Sequence, residues 1–183
     1  MIYKWKSFPE ALRDDDQLQT AVLEAHEILY RDCFIDDPGM NHRLPVRVQA
    51  FRRMGPWRVF LLLTPWMLSR IFVPDSDPGI EIPGEWCAEA RAGQPYQVIG
   101  PTCSLELLTG RQKAHLNYSN RLGHYLLHPL ILSMKDFQTP EEIFRAWNRV
   151  IETRNENLKK LKQRSLQQEE ITRREFFKGP RPS

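Results

Sequence analysis

The chain has 183 residues, of which 41% are hydrophobic and 27% charged, and its formal net charge is +3. These values are typical of one ordinary globular domain with a single core. The longest nearly apolar stretch, residues 59–68, is about half of the roughly 20 residues that a membrane-spanning helix needs. The N-terminus also lacks the apolar region of a secretory signal, so we expect a soluble intracellular protein without stable insertion in a membrane.

Positive charge is concentrated near the C-terminus rather than on the expected globular body. Residues 154–183 contain nine lysines and arginines and four glutamates, a balance of +5, which leaves −2 for the preceding residues. A nucleic-acid-binding core carries its basic patch on the folded surface. This distribution therefore argues against a nucleic-acid partner.

The N-terminal region predicts one amphipathic helix, Gln17–Asp32. Its apolar residues fall on one helical stripe that runs from Leu18 to Leu29, with glutamines and glutamates on the opposite side. The three aspartates at positions 14–16 precede this helix, where acidic residues cap the chain and complement the helix dipole more often than they bind a cation. The turn sequence Asp36-Asp37-Pro38-Gly39 then ends the helix.

The centre of the chain predicts antiparallel strands. Pro45–Arg53 alternates apolar and polar residues, as a half-buried strand does. A short Gly-Pro turn connects it to Val59–Leu63, an apolar run that is too short for a helix and favours a buried strand. Pro65 ends this strand because proline has no N–H to donate to a ladder. A second apolar run, Ile71–Val73, follows.

Residues 74–95 carry four prolines and three glycines, which predict a loop or a broken excursion. Three apolar side chains are expected to pin this excursion to the core: Ile80, Ile82 and Trp86. Beyond the excursion, the sequence predicts three strands: Tyr96–Ile99, Cys103–Leu108 and Lys113–Tyr118. The apolar stretch Tyr125–Met134 follows and is interrupted by Pro129.

The clearest local signal is Thr139-Pro140-Glu141-Glu142, which has the form of a capping box with proline at the first helical position. The helix that begins there continues as a polar, charged helix, and residues from Phe176 onward are expected to fray. Helix, strands and helix in this order predict an α+β fold, in which an antiparallel sheet packs with an N-terminal and a C-terminal helix. We expect one domain over residues 1–152 and a charged, partly helical tail over residues 153–183.

The sequence predicts neither a catalytic nor a metal site. It contains no phosphate-binding loop and no nucleophile elbow. His124 and His128 stand four residues apart, a spacing that can bind a metal from one helical face. However, Tyr125 replaces the glutamate of the metalloprotease pattern. The spacing of His115 does not make it a third ligand. The three cysteines are widely spaced and form no C-x-x-C pair, which predicts small buried thiols: Cys33, Cys87 and Cys103.

Three large apolar side chains, Trp66, Met67 and Leu68, follow Pro65 at the corner between the two central strands. Core packing is one interpretation, since such residues are most often buried. The other is a protein-binding surface, because tryptophan and methionine are enriched at such surfaces and methionine adapts to different partners. From the residues alone, both interpretations stay open.

Two blocks of the sequence resemble one known family. The first block, Thr64-Pro65-Trp66-Met67-Leu68-Ser69 followed by Ile71-Phe72-Val73-Pro74, resembles the TPWML-S segment of the HybE-type [NiFe]-hydrogenase assembly chaperones, also known as HupJ or HoxT. The second block, Pro129-Leu130 followed by Ser133-Met134, is similar to the family's P-L-x-x-S-M segment. The resemblance covers roughly residues 18–151, and the helical tail after Ile151 has no recognised counterpart.

This resemblance implies a cytoplasmic, non-enzymatic chaperone without a cofactor. Its partner would be a hydrogenase subunit precursor, either the small subunit with its twin-arginine signal peptide, the large subunit, or both, held back from export until assembly is complete. The apolar patch that this function needs is expected to include residues of both blocks. The expected partner-binding residues are Trp66, Met67, Leu68, Pro129, Leu130 and Met134.

The residues alone leave two further questions open. The alternative function is that of a nickel- or iron-handling accessory protein, which would use His115, His124, His128 and a cysteine; a structural subunit of the finished complex is a weaker possibility. The basic tail either attracts an acidic partner or anionic lipid weakly, or is simply a solvated helix end.

Overall fold

The computed structural model describes residues 3–107 and 110–177, and side chains as far as residue 165. The chain divides into two compact units, Met1–Pro140 and Glu141–Ser183. In the described residues the first unit contains a sheet and the N-terminal helix, and the second consists of helix. The sequence-based division into residues 1–152 and 153–183 stays a prediction.

The secondary structure consists of three α-helices, six strands and shorter turns within the described ranges. The helices are α1 (Asp15–Leu29), α2 (Ala88–Arg91) and α3 (Pro140–Phe177), with a π-helical turn at Tyr30–Phe34 and 3-10 turns at Glu10–Arg13 and Gly84–Trp86. The strands are β1 (Arg47–Met54), β2 (Trp57–Leu63), β3 (Leu68–Pro74), β4 (Thr102–Leu107), β5 (Gly110–Ser119) and β6 (Gly123–Ile131).

All six strands form one antiparallel sheet in the order β1-β2-β3-β6-β5-β4. The predicted α+β class, with an antiparallel sheet, an N-terminal helix and a C-terminal helix, is therefore confirmed. The tight turn at Gly55 joins β1 to β2 as a hairpin, as the short connection predicts. A bulge between Gln49 and Arg52 interrupts β1, and Ala50 takes a left-handed backbone conformation there, with φ of 55°.

The central strands β2, β3 and β6 are buried on both faces, which explains their nearly continuous apolar sequence. Because side chains alternate along a strand, neighbouring residues enter different clusters. One cluster joins strand residues to α1, through Phe60, Ile71, Leu127, Leu18 and Val22. The other joins the opposite face to the N-terminal segment and the excursion, through Val59, Phe72, Trp5, Ile82 and Trp86. The predicted anchoring of the excursion by Ile82 and Trp86 is thus confirmed.

Helix α1 begins at Asp15, two residues before the predicted start at Gln17, and is capped by one of the predicted aspartates, Asp14. One carboxylate oxygen of Asp14 accepts hydrogen bonds from the backbone N–H groups of Asp16, at 3.1 Å, and Gln17, at 3.0 Å. This is the N-cap arrangement, which satisfies N–H groups that have no partner within the helix. The α-helix ends at Leu29 and continues as the π-helical turn, so the predicted end at Asp32 falls within that turn.

The predicted strand Tyr96–Ile99 is wrong, because the structure has no ladder at these residues. The Asn117 side chain donates hydrogen bonds to the carbonyl oxygens of Gln97, at 3.3 Å, and Val98, at 3.2 Å. A side chain therefore occupies acceptors that a neighbouring strand would otherwise use. A period-two apolar pattern cannot show such a competing side-chain donor.

Strand β6 passes through Pro129 without ending, although proline is unusual in a central strand. The ladder between β5 and β6 stops at the pair His115 and Leu127, so Pro129 lies beyond it. The same register places Lys113 opposite Pro129, which has no N–H to give to the Lys113 carbonyl. The imidazole Nδ1 of His128 donates to that carbonyl instead, at 2.7 Å.

Helix α3 begins at Pro140, in agreement with the capping signal, and runs unbroken to Phe177. Fraying is predicted from Phe176 onward. Of these residues the structure describes Phe176 and Phe177, which belong to the helix, and the rest of the prediction lies outside the described residues. Among the side chains of this helix that the structure describes, up to residue 165, three large apolar ones are solvent-exposed: Val150, Leu158 and Leu161. Within the described part of the chain, no helix combines the length and the hydrophobicity that crossing a membrane requires.

Candidate functional site

The corner between β2 and β3 is a tight hairpin closed by Thr64. Its backbone N–H and its hydroxyl both donate to the Met67 carbonyl oxygen, each at 3.0 Å. The Met67 N–H in turn donates to the Thr64 hydroxyl oxygen at 3.2 Å. The buried threonine thus satisfies the polar groups of the turn, so that Pro65 and Trp66 can occupy its tip.

The structure places the side chains of this corner largely inside the protein. Trp66 is 9% exposed, Met67 3% and Leu68 0%. The indole of Trp66 packs on the ring of Phe34, with 4.7 Å between the ring centroids. These three residues therefore contribute to packing, and their predicted role in partner binding stays a prediction.

The second block lies beside the first in the sheet, although about sixty residues separate them in sequence. Strand β3 pairs Ser69 with Pro129 and Leu68 with Ile131, and one residue of β6, Leu130, is extra at this irregularity. Pro129 and Leu130 are half-buried, and Met134 is buried. The structure thus brings together the two blocks that carry the resemblance.

Asn41 joins the two blocks by hydrogen bonds. Its backbone N–H donates to the Pro65 carbonyl at 3.0 Å, and its side-chain Nδ2 donates to the carbonyls of Met134 and Phe137, each at 2.8 Å. The sequence does not reveal this role of Asn41, because an asparagine after a Pro-Gly turn normally indicates only the turn itself. Nothing in the spacing indicates its long-range bonds.

Two exposed apolar side chains follow residues of this arrangement in the sequence. Ile35 is 48% exposed and follows Phe34, the residue that packs on Trp66. Leu132 is 64% exposed and follows Ile131, which pairs with Leu68 in the sheet. The segment 32–41, which carries Ile35, contains three aspartates and no lysine or arginine. We call the exposed and half-buried residues of this region the corner surface: Asp32, Ile35, Asp36, Asp37, Pro129, Leu130 and Leu132.

The histidines of the alternative metal interpretation all have structural partners. His124 is fully buried; its Nδ1 accepts from the Lys6 N–H at 2.7 Å and its Nε2 donates to the Trp86 carbonyl at 2.9 Å. Both ring nitrogens are therefore used to fix the N-terminal segment and the excursion to β6. Burial lowers the pKa of His124, so the neutral ring that these bonds require is favoured.

The other two histidines do not assemble a metal site with His124. His115 Nδ1 donates to the Gly100 carbonyl at 2.9 Å, and His128 donates to Lys113 as described above. Because His124 and His128 lie on a strand, four residues separate them by about 13 Å rather than by one helical turn. Among the side chains that the structure describes, no group of three or more histidine, cysteine, aspartate or glutamate residues is placed to hold a metal ion.

Comparison with known proteins defines the class to which this chain belongs. The family model described as "[NiFe]-hydrogenase assembly, chaperone, HybE" matches residues 17–179. The chain therefore belongs to the HybE family of [NiFe]-hydrogenase assembly chaperones, and it is a chaperone rather than an enzyme. The match extends beyond Ile151, so the expectation that the helical tail has no counterpart in the family is wrong.

A solved structure of the family has a similar fold. The solution structure of HybE from Escherichia coli matches with a TM-score of 0.50 and 19% sequence identity, over 81% of this chain and 80% of that chain. At this identity the similarity shows the fold alone. The search of curated proteins found no match.

Proposed function

We propose that this chain acts in the cytoplasm, where it binds the precursor of a [NiFe]-hydrogenase subunit and delays its twin-arginine export until assembly is complete. The partner is the small subunit with its signal peptide, the large subunit, or both. The observation that carries the proposal is the corner surface, where exposed apolar side chains lie beside an acidic segment at the two blocks that resemble the family.

The chemistry of the corner surface is complementary to that of an export signal. Such a signal has a positively charged region followed by a short apolar region. Ile35 and Leu132 offer exposed apolar surface for the second region, and Asp32, Asp36 and Asp37 offer negative charge for the first. The three aspartates are exposed, so their contribution should weaken as salt increases.

The six residues predicted from the sequence have two different roles in this proposal. Pro129 and Leu130 are half-buried and contribute directly to the surface. Trp66, Met67, Leu68 and Met134 lie beneath it and fix its shape through the packing and hydrogen bonds of the corner. A rigid support of this kind lowers the entropy that is lost when a partner binds.

The test is a binding titration with a synthetic twin-arginine signal peptide of a hydrogenase small subunit, followed by co-purification with the full precursor. The double variant Ile35→Ser, Leu132→Ser should bind at least about tenfold more weakly, because it removes the two large exposed apolar contacts. Ile99→Ser is the matched control, since Ile99 is also exposed, at 42%, but lies outside the corner surface.

The charge contribution is tested separately with Asp36→Lys. This variant should weaken binding strongly at low salt and much less at high salt.

A precursor that lacks its signal peptide then shows whether the folded body of the subunit also binds. Unchanged affinity of the double variant for both the peptide and the precursor would refute the corner surface as the binding site.

A further inference from the structure

Helix α3 carries an exposed apolar stripe on one of its faces. Three large apolar side chains are solvent-exposed there, Val150 at 53%, Leu158 at 45% and Leu161 at 59%. They line one shallow depression together with one small and four polar residues: Ala146, Arg149, Thr153, Arg154 and Asn157. These eight positions recur at steps of three and four residues over about four helical turns, which is the spacing of a single helix face. We call this face the α3 stripe.

Only positive charge borders the α3 stripe. Arg149 and Arg154 line it, and no aspartate or glutamate does. Both arginines are exposed, and neither forms a salt bridge with a carboxylate of the described residues. The nearest glutamates, Glu152 and Glu156, each stand two residues from an apolar residue of the stripe, and residues two apart do not share a helix face. Residues 157–165 add three lysines and one arginine without any acidic residue.

We propose that the α3 stripe docks an amphipathic helix of a partner protein, whose apolar face is flanked by acidic residues. The apolar side chains of that helix cover Val150, Leu158 and Leu161, and its carboxylates pair with Arg149 and Arg154. The inference does not rest on the proposed function. The corner surface carries negative charge and the α3 stripe carries positive charge, so the two surfaces select partners of opposite charge.

Two other occupants of the α3 stripe fit its chemistry less well. A second copy of the same face would bring basic residues against basic residues, because only positive charges border the stripe. A lipid surface would bury the hydroxyl of Thr153 and the amide of Asn157 among acyl chains, where neither finds a hydrogen-bond partner. A partner helix can bond to both groups, and a polar residue within an apolar seam then fixes the register of the two helices.

The experiment follows the fluorescence anisotropy of two labelled helical peptides as the full chain is added. The acidic peptide has three repeats of Glu-Ile-Ala-Ala-Leu-Glu-Lys, and the basic peptide has three repeats of Lys-Ile-Ala-Ala-Leu-Lys-Glu. The two peptides share the apolar face and differ in the charges that flank it. At low salt we expect the acidic peptide to bind at least about tenfold more tightly, and the difference should shrink as salt increases.

The corner-surface variant Ile35→Ser, Leu132→Ser separates this inference from the proposed function. Its affinity for the acidic peptide should equal that of wild type, because neither residue belongs to the α3 stripe. Any binding of the basic peptide at the acidic corner surface should be lost in this variant.

Two variants of helix α3 test the stripe itself. Leu158→Ser, Leu161→Ser should weaken binding of the acidic peptide at least about tenfold and leave the far-UV circular dichroism unchanged, because both side chains are exposed in the free protein. Arg154→Glu should weaken binding about tenfold at low salt. Lys159→Glu is its matched control: it makes the same change in charge outside the stripe, so it should weaken binding less than about threefold.

Three results would overturn the proposal. The first is that the acidic peptide does not bind at millimolar concentration, or that Arg154→Glu and Lys159→Glu weaken its binding equally. The second is a wild-type dimer in analytical ultracentrifugation that Leu158→Ser, Leu161→Ser abolishes, since a second copy would then cover the stripe. The third is binding to phosphatidylglycerol vesicles that the same double variant abolishes, since lipid would then be the occupant.

Discussion

Lowering the pH should destabilise this protein through His26. The pKa of this histidine falls from its ordinary 6.5 to about 4 on folding, because burial disfavours the charged ring. Between these two values the unfolded chain binds a proton that the folded chain does not, so stability is lost as the pH falls from 6.5 towards 4. The complete pKa change corresponds to a loss of about 3 kcal/mol in the free energy of unfolding. About 2 kcal/mol of this should be lost between pH 7 and pH 5.

Urea unfolding, followed by tryptophan fluorescence at pH 7 and pH 5, measures this loss. The free energy of unfolding should therefore be lower at pH 5 than at pH 7. In His26→Gln this pH-dependent loss should be about 2 kcal/mol smaller than in wild type, since glutamine does not titrate. His124 also has a lowered pKa and acts in the same direction, but it is present in both proteins. His42→Gln, which replaces an exposed histidine, is the control and should keep the wild-type difference. The same pH difference in wild type and His26→Gln would refute the reasoning.

Three further substitutions test the packing around the proposed site and the sheet. Asn41→Ala should cost about 2 kcal/mol in urea unfolding, because two partly buried carbonyls lose their donor, and it should also weaken precursor binding. Trp66→Ala should cost about 3 kcal/mol, which is typical of removing a large core side chain. A loss below about 1 kcal/mol would show that Trp66 is a surface residue rather than a core residue. Arg58→Met should cost about 3 kcal/mol, because Arg58 is buried and donates to Asp75 at 2.9 Å and to the Leu12 carbonyl at 2.7 Å. The same change at the half-exposed Arg53 should cost less than about 1 kcal/mol, and equal costs would contradict this explanation.

Most of the fold is predictable from short-range patterns in the sequence. The apolar run Val59–Leu63 lies within strand β2, and the capping signal at Pro140 marks the start of α3. These predictions succeed because the burial of a strand and the start of a helix depend mainly on nearby residues. The strand predicted at Tyr96–Ile99 fails because Asn117, about twenty residues away, supplies the hydrogen bonds there.

The candidate site is only partly predictable, for the same reason. The sequence resemblance finds Trp66 and Pro129, but exposure depends on which face of each strand the rest of the chain covers. Helix α1 and its π-helical extension cover the indole of Trp66, while Leu132 stays exposed beyond the end of β6. Asn41 could not be found at all, because the partners of its side chain are more than ninety residues away.

The proline in β6 has a consequence for how a client can be recognised. Residues 128–131 pair with β3 on one side, and their other backbone edge faces β5 beyond the end of the β5–β6 ladder. Pro129 removes one donor from that edge, and His128 occupies the Lys113 carbonyl that faces it. At this position a polypeptide therefore cannot add to β6 by β-augmentation, whereas β1 and β4 form the edges of the sheet. In the proposed function, the corner surface contacts its client through side chains rather than through a shared ladder.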